Sequence, residues 1–106
     1  MNEKWAKFSI GDIVKHKYFN FRGVIYDVDF EFNNSEKWYR SIPKDVRPRK
    51  DQPFYHLLAE NNEITYEAYV SEQNLITDNS GDPVQHPLVN EIFSEKKGSA
   101  YYKRSN

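Results

Sequence analysis

The side chains that could support catalysis or metal binding are three histidines and a row of carboxylates. His16 and His56 fall in predicted strands, and His86 precedes a predicted helix. A two-histidine metal site completed by Asp27 or Asp29 is one hypothesis, because imidazole and carboxylate groups both ligate zinc. No second ligand lies at a local spacing typical of a metal site. We therefore favour the interpretation in which His16 and His56 are half-buried strand residues with hydrogen-bond partners.

Three carboxylates, those of Asp27, Asp29 and Glu31, alternate along one predicted strand and so share a face. Such a row could provide a pair for general acid and base catalysis. A solvated strand face opposite Lys15 or Lys17 explains the same pattern, and we favour it. The chain also has no phosphate-binding glycine loop, no nucleophile elbow and no cysteine. The sequence therefore predicts a protein that is not an enzyme and needs no cofactor or metal.

A basic segment rich in aromatic residues is the strongest candidate for a binding surface. Residues 37–50 contain six Lys/Arg side chains, opposed only by Asp45. The segment belongs to a half of the chain, residues 1–50, with eleven Lys/Arg and seven Asp/Glu, whereas residues 51–106 have four and nine. Such a cluster can contact phosphates or an acidic protein surface, and a solvated loop is the simpler alternative. The candidate binding residues are Trp38, Tyr39, Arg40, Lys44, Arg47, Arg49 and Lys50.

Two apolar stretches form the predicted framework on either side of this segment. Residues 23–32 alternate with a period of two, which predicts a long strand with one buried and one wet face. Gly23 at its start permits a bulge or a close approach of a neighbouring strand. Residues 53–58 are apolar throughout and predict a partner strand. We expect Val24, Tyr26, Val28, Phe30 and Phe32 on the buried face and Ile25, Asp27, Asp29 and Glu31 on the other.

The remaining elements are short. Gly11 and Asp12 predict a turn, followed by a strand over residues 13–17. Further strands are predicted over residues 53–60, 63–70 and 75–77, with Asn61 and Asn62 as a two-residue hairpin turn. A short helix is predicted over residues 36–41, and a C-terminal helix from Pro87 that Gly98 would end. Its apolar stripe is formed by Leu88, Val89, Ile92 and Phe93.

These elements predict a mainly β protein, a small SH3-like antiparallel β-barrel of about five strands. An OB-fold is the nearest alternative. The expected organisation is a flexible N-terminus (residues 1–6), a single β-barrel domain (residues 7–97) and a flexible C-terminal tail (residues 98–106). Seventeen aromatic residues, eight Tyr, seven Phe and two Trp, can fill a small core. No stretch is long and apolar enough to span a membrane, and the absence of cysteine fits a reduced cytoplasmic setting.

Six motifs give the chain a resemblance to a known family. They are KFSIG at residues 7–11, VKH at 14–16, GVIYDVD at 23–29, PFYHLL at 53–58, YVSEQNL at 69–75 and HP at 86–87. In this order and spacing they resemble the heat shock protein HspQ (YccV-like, hemimethylated DNA-binding domain) family over about residues 7–93. The family motif residues are Gly11, His16, Gly23, Asp27, Asp29, Tyr55 and His56. The resemblance implies that these residues are architectural and that the fold is an SH3-like barrel without catalytic activity.

The resemblance also implies two roles, and these define two hypotheses. The first is a heat-shock-type binding module that promotes degradation of damaged or unfolded proteins by modulating the Lon protease. The second is a DNA-binding protein that prefers hemimethylated DNA. We favour the first because the net charge of −1 weakens attraction to phosphate. The expected partners are therefore the Lon protease or unfolded client proteins, with DNA as the alternative and self-association through edge strands as a further possibility.

The sequence departs from the family after the second predicted strand. The family pattern Asp-x-Asp-Pro would place a proline where this chain has Phe30. Because a proline would end the strand, its absence predicts a strand that continues toward Phe32. The following segment is basic and aromatic here, whereas it tends to be acidic in bacterial relatives, so the binding surface of the family is not carried over residue by residue.

Overall fold

A computed structural model describes residues 5–104 of the chain. This part contains seven strands, two short α-helices and two 3₁₀ turns. The strands are β1 (Ile13–His16), β2 (Arg22–Asp29), β3 (Phe54–Glu60), β4 (Thr65–Ser71), β5 (Leu75–Thr77), β6 (Phe93–Lys97) and β7 (Ala100–Lys103). The helices are α1 (Glu36–Ser41) and α2 (Val89–Ile92), and the 3₁₀ turns are Lys44–Val46 and Glu72–Asn74. Of the predicted flexible N-terminus, residues 1–4 lie outside the described residues, whereas Ala6 packs against the core.

Five strands form one antiparallel sheet in the order β4-β3-β2-β1-β5, and β6 and β7 form a separate hairpin. This confirms the mainly β prediction and the positions of the first five strands. The two edge strands, β4 and β5, pair with one neighbour each and not with each other. Closure into an SH3-like barrel therefore stays a prediction.

The central strands are covered on both faces, so the described residues form two hydrophobic clusters, one on each face. One lies around Val14, Ile25, Tyr55 and Leu57. The other lies around Ile13, Val24, Leu58, Val89 and Phe93 on the opposite face. Neighbouring residues such as Val24 and Ile25 are consequently both fully buried, as in sheets with two covered faces.

The predicted faces of β2 are wrong beyond its midpoint, because a β-bulge interrupts the alternation. Ile25 pairs with Leu57 and Asp27 pairs with His56, so Tyr26 is the extra residue. The bulge moves the later residues to the opposite face: Val28 packs in the same cluster as Ile25. The prediction that the strand continues toward Phe32 is also wrong, because β2 ends at Asp29. Phe32 instead donates its backbone N–H to the carbonyl of Lys50, which closes the base of the long loop.

The long loop between β2 and β3 contains α1 where a helix was predicted. Ser35 caps it, accepting a hydrogen bond from the Trp38 N–H through its Oγ at 3.0 Å. Pro43 follows soon after its end, and the chain enters a single 3₁₀ turn. The predicted two-residue hairpin turn is wrong, because residues 61–64 form a four-residue loop. Its Asn61 Oδ1 accepts the N–H groups of Glu63 and Ile64, and no described residue other than glycine has a positive φ.

The C-terminal segment differs most from its prediction. The predicted helix is reduced to α2, and Phe93 begins β6, which turns back into β7 at Gly98 with φ +62°. The strand β7 occupies residues for which the sequence predicted a tail. Its Tyr101 donates a backbone hydrogen bond to the carbonyl of Gly11 at 2.7 Å. The residues of the predicted apolar stripe do enter the core: Val89 and Phe93 are buried, and Leu88 and Ile92 pack against the same cluster.

Candidate functional site

The acidic row and His56 meet at the base of the long loop. The β-bulge places Asp29 beside β3 and β4, where its Oδ2 lies 3.0 Å from His56 Nε2 and accepts the Tyr69 hydroxyl at 2.8 Å. The same hydroxyl accepts the backbone N–H of Asn33 at 2.9 Å. Burial, together with the bond to Asp29, raises the pKa of Tyr69 above its ordinary value. The group therefore fixes the first residues of the loop to the sheet.

The structure brings Asp27 to the same group, and His16 lies elsewhere. Ligand atoms of Asp27, Asp29 and His56 lie within 4.8 Å of one another, a spacing that a metal ion could bridge. The predicted two-histidine arrangement is absent from this group. Hydrogen bonds among Asp29, His56 and Tyr69 already account for the positions of these side chains. Asp27 is exposed, as the predicted solvated face requires, but Asp29 is half-buried against His56 and Tyr69. The predicted lysine neighbour is wrong for Lys15, which lies opposite Arg22.

Aromatic rings hold the long loop against β3 and β4. Phe32 contacts Trp38, Tyr39 and Phe54 at ring-centroid distances of 5.8, 5.1 and 5.3 Å. Trp38 meets the edge of Tyr69 at 5.4 Å, and Phe54 stacks on Tyr69 at 5.2 Å. Two of the predicted binding residues, Trp38 and Tyr39, are therefore half-buried and partly used to anchor the loop.

Four of the predicted basic binding residues are engaged within the protein. Arg40 and Lys50 both pair with Glu36, at 3.5 and 2.6 Å, and Lys50 also lies 4.5 Å above the Tyr39 ring. Arg49 pairs with Asp51 at 2.9 Å. Arg47 donates to the carbonyl of Ile42 at 2.8 Å.

Lys44 differs from these four basic residues. It lies exposed in the 3₁₀ turn and has no side-chain ion pair within residues 5–104. The same holds for Lys37, the basic residue at the start of the segment. The basic segment thus offers two ammonium groups without an ion-pair partner among the described residues, whereas its other cations contact nearby carboxylates or carbonyls.

His16 organises a second aromatic surface, in the bend between β1 and β2. Its Nδ1 accepts the backbone N–H groups of Tyr18 and Phe19 at 3.0 and 3.1 Å. The imidazole also contacts the rings of Phe19 and Phe21 at 4.7 and 5.1 Å. Burial lowers the pKa of His16, which favours the neutral ring that this acceptor role requires. Phe19 nevertheless leaves 63% of its surface exposed.

A groove of about 900 Å³ runs between the two aromatic surfaces and along β4. One wall comes from the bend after β1, with His16, Phe19 and Phe21, and from Tyr66 on β4. The other wall comes from Tyr69 and from the long loop, including Trp38, Ile42, Val46 and Arg47. We call this feature the β4 groove.

The sequence pattern did not reveal the β4 groove, and only Trp38, Arg47 and His16 among its residues were singled out. Phe19 and Phe21 carried a usable signal, since aromatic residues in a predicted polar bend are exposed unless they pack on something. Tyr66 and Tyr69 are three residues apart on β4 and so lie on opposite faces, and nothing in the sequence indicated that both faces border one groove.

The remaining motif residues support the framework. Gly11 has φ +99°, and a Cβ there would lie 2.1 Å from the carbonyl oxygen of Tyr101. Gly23 has no positive φ, but a Cβ would lie 2.6 Å from the carbonyl oxygen of Leu58. The buried Tyr55 donates to Glu72 Oε2 at 2.6 Å and accepts the Phe8 N–H at 3.1 Å, and burial raises its pKa.

Comparison with known proteins gives the family. The F-box only protein 21 of Homo sapiens is 34% identical over 95 residues, and that of Mus musculus is 33% identical over the same length. The match covers 89% of this chain but only 15% of each relative. No solved structure matches. No helix within residues 5–104 has the length and apolar character to cross a membrane. A family model described as "Hemimethylated DNA-binding protein YccV like" matches residues 6–100, so the chain belongs to the YccV-like family.

Proposed function

We propose that this protein is a non-enzymatic binding module that promotes degradation of damaged or unfolded proteins by modulating the Lon protease. The observation that carries this proposal is the β4 groove, whose walls are mostly aromatic and aliphatic. Unfolded chains expose the apolar side chains that such walls can cover, and folded clients do not. A groove of this kind therefore gives a physical basis for selecting damaged proteins.

The electrostatics support the same function. Of the basic residues in the long loop, Arg40, Arg47, Arg49 and Lys50 are engaged by partners within the chain. Binding to phosphate would have to break those contacts or rely on the few remaining cations. The gain from counterion release scales with the number of phosphates neutralised, so a small number of free cations predicts weak binding.

A degradation assay tests the proposal. Lon would digest an unfolded model substrate with and without the full-length protein, over a wide range of protein concentrations. We expect faster degradation with the wild-type protein and little effect with Phe19→Ser or Val46→Ser, since both side chains are exposed on the walls of the β4 groove. Ile64→Ser is the matched control, because Ile64 is similarly exposed, at 59%, but outside that groove. An unchanged rate at every concentration would contradict the proposal.

Preferential binding to hemimethylated DNA is the second candidate, supported by the description of the family. Lys37 and Lys44 on the long loop, which have no side-chain ion pair within residues 5–104, could contact the DNA backbone. A salt titration with unmethylated, hemimethylated and fully methylated duplexes tests it. We expect the logarithm of the binding constant to fall only shallowly with the logarithm of the salt concentration, with a slope of about one per phosphate contact. This slope should decrease in the Lys37→Ala and Lys44→Ala variants. Equal affinity for the three duplexes would exclude recognition of methylation.

A further inference from the structure

The outer edge of β4 is an unpaired strand edge that faces the β4 groove. β4 is at the end of the five-stranded sheet and pairs only with β3. Within residues 5–104, no backbone hydrogen bond joins β4 to any segment other than β3. Such an edge presents a row of free donors and acceptors to another extended chain.

The register identifies which backbone groups are free. The β3–β4 register ends at the pair of Phe54 and Ser71, and one residue further a hydrogen bond from the Glu72 N–H to the Pro53 carbonyl continues the ladder. Hydrogen-bonded and non-hydrogen-bonded pairs alternate along an antiparallel ladder. Val70, Ala68 and Tyr66 therefore bond to β3. The N–H and C=O groups of Thr65, Glu67, Tyr69 and Ser71 point away from β3, toward the open side.

The edge lacks the features that usually prevent strand addition. Edge strands are commonly short, or carry lysine, proline or a bulge. β4 is seven residues long and contains none of these features, whereas the opposite edge strand β5 has three residues. Its one charged side chain, Glu67, accepts the Tyr26 hydroxyl at 2.7 Å.

An unsatisfied polar group at one end of the strand gives an independent indication. Ser71 lines the β4 groove and is 2% exposed, and its Oγ has no hydrogen-bond partner within the described residues. A buried hydroxyl without a partner destabilises the protein, because the loss of its hydrogen bonds to water is not compensated. A bound backbone would reach this hydroxyl once the Ser71 side chain turns toward the open side, where it would join the free groups of β4.

We infer that the β4 groove binds an extended, apolar segment of an unfolded polypeptide, which adds to the sheet as a strand beside β4. Side chains of an added strand alternate between two faces. One set would contact the wall that contains Phe19, Phe21 and Tyr66, and the other set the wall that contains Trp38 and Tyr69. This inference rests on the proposed function and specifies how that function selects its clients: by extended backbone and alternating apolar side chains.

The test uses the full-length protein and a fluorescein-labelled oligopeptide in which valine and tyrosine alternate. Two further peptides carry N-methyl groups on alternate residues, one on the odd and one on the even positions. Only every second N–H of an added strand faces its neighbour. The peptide with methyl groups on those nitrogens should therefore bind at least about tenfold more weakly than the parent, and the other methylated peptide should bind nearly as well as the parent. Equal loss in both methylated peptides would overturn the inference.

Amide hydrogen exchange locates the peptide. Saturating peptide should slow exchange at Glu67 and Tyr69, whereas Ala68 and Val70, already bonded to β3, serve as controls. Binding without slower exchange at Glu67 and Tyr69 would overturn the strand-addition inference and leave the proposed function standing. Slower exchange at these amides with no effect on Lon would instead contradict the proposed function alone. Slower exchange without peptide, at high protein concentration only, would identify a second copy as the occupant and overturn the inference.

Discussion

The Tyr69 hydroxyl donates a hydrogen bond of 2.8 Å to Asp29 and so joins the edge strand β4 to the end of β2, although β3 lies between these two strands. The intervening strand contributes His56, whose Nε2 lies 3.0 Å from the same carboxylate oxygen. The Tyr69 hydroxyl also holds the backbone of Asn33, at the start of the long loop. One phenol therefore couples the sheet to the loop that forms a wall of the β4 groove.

Replacing Tyr69 by phenylalanine removes two hydrogen bonds and keeps the ring contacts with Phe54 and Trp38. We expect the free energy of unfolding to fall by about 1–3 kcal/mol, because each bond contributes about 1 kcal/mol and Asp29 is left half-buried with fewer donors. Urea denaturation measures the change. Tyr102→Phe, at an exposed strand residue, is the control and should have almost no effect. Equal stability of the two variants would show that the phenol does not anchor the loop.

Acid should destabilise the protein through Asp78, which pairs with Arg22 at 2.8 Å. Burial acts to raise the pKa of Asp78, but the hydrogen bonds from Arg22 and Ser80 outweigh it and lower this pKa to about 2. Because the pKa is lower in the folded protein than in the unfolded chain, the stabilisation is present above about pH 4 and is lost as the pH falls toward 2. The loss amounts to about 2 kcal/mol.

Unfolding free energies measured between pH 5 and pH 2 test this contribution. Asp78→Asn should lower stability at pH 5, because Arg22 loses an ionised partner, and should reduce the dependence on pH over this range. Asp51→Asn is the matched control: Asp51 also pairs with an arginine, but in an exposed ion pair. A wild-type slope in Asp78→Asn would contradict the prediction.

The sequence predicts those parts of the fold that depend on local pattern. Short apolar stretches, either alternating or continuous, located β1 to β5, and the Ser35 cap with its following aromatic residues located α1. The bulge at Tyr26 could not be predicted, because apolar and polar residues continue to alternate in the sequence through it. The extra residue nevertheless moves the following side chains to the opposite face of the sheet. The hairpin of β6 and β7 was missed because Leu88, Val89, Ile92 and Phe93 have helical spacing and continue without a break into β6.

The candidate site was only partly predictable for a related reason. Trp38 and Tyr39 stood out by residue type, as did the basic residues of the long loop. Whether Arg49 or Lys50 is free depends on where Asp51 and Glu36 lie after folding, and sequence distance does not decide this. The β4 groove needs three segments to converge, so no single stretch could indicate it.

Gly11 should tolerate no side chain. Its φ of +99° disfavours any L-residue, and a Cβ would lie 2.1 Å from the Tyr101 carbonyl oxygen, which belongs to backbone that cannot move without disturbing β7. We expect Gly11→Ala to cost about 3 kcal/mol or more, from strain and steric conflict together. Gly81→Ala is the matched control, since Gly81 has φ +79° with no atom within 4 Å of the added Cβ. It should cost about 1 kcal/mol, and similar melting of both variants would contradict the role of the close contact.

Removing residues 98–106 distinguishes the structure from the sequence-based expectation of a flexible tail. The truncation deletes β7, and with it the Tyr101 ring that packs 5.7 Å from Phe93 and the hydroxyl that accepts the Val84 N–H. We expect a loss of at least about 3 kcal/mol, comparable to deleting a large core side chain, with greater exposure of the cluster around Phe93. Circular dichroism melts and dye binding to exposed apolar surface measure both effects. Removing only residues 105–106 is the control, and wild-type melting of the longer truncation would show that β7 adds nothing to the fold.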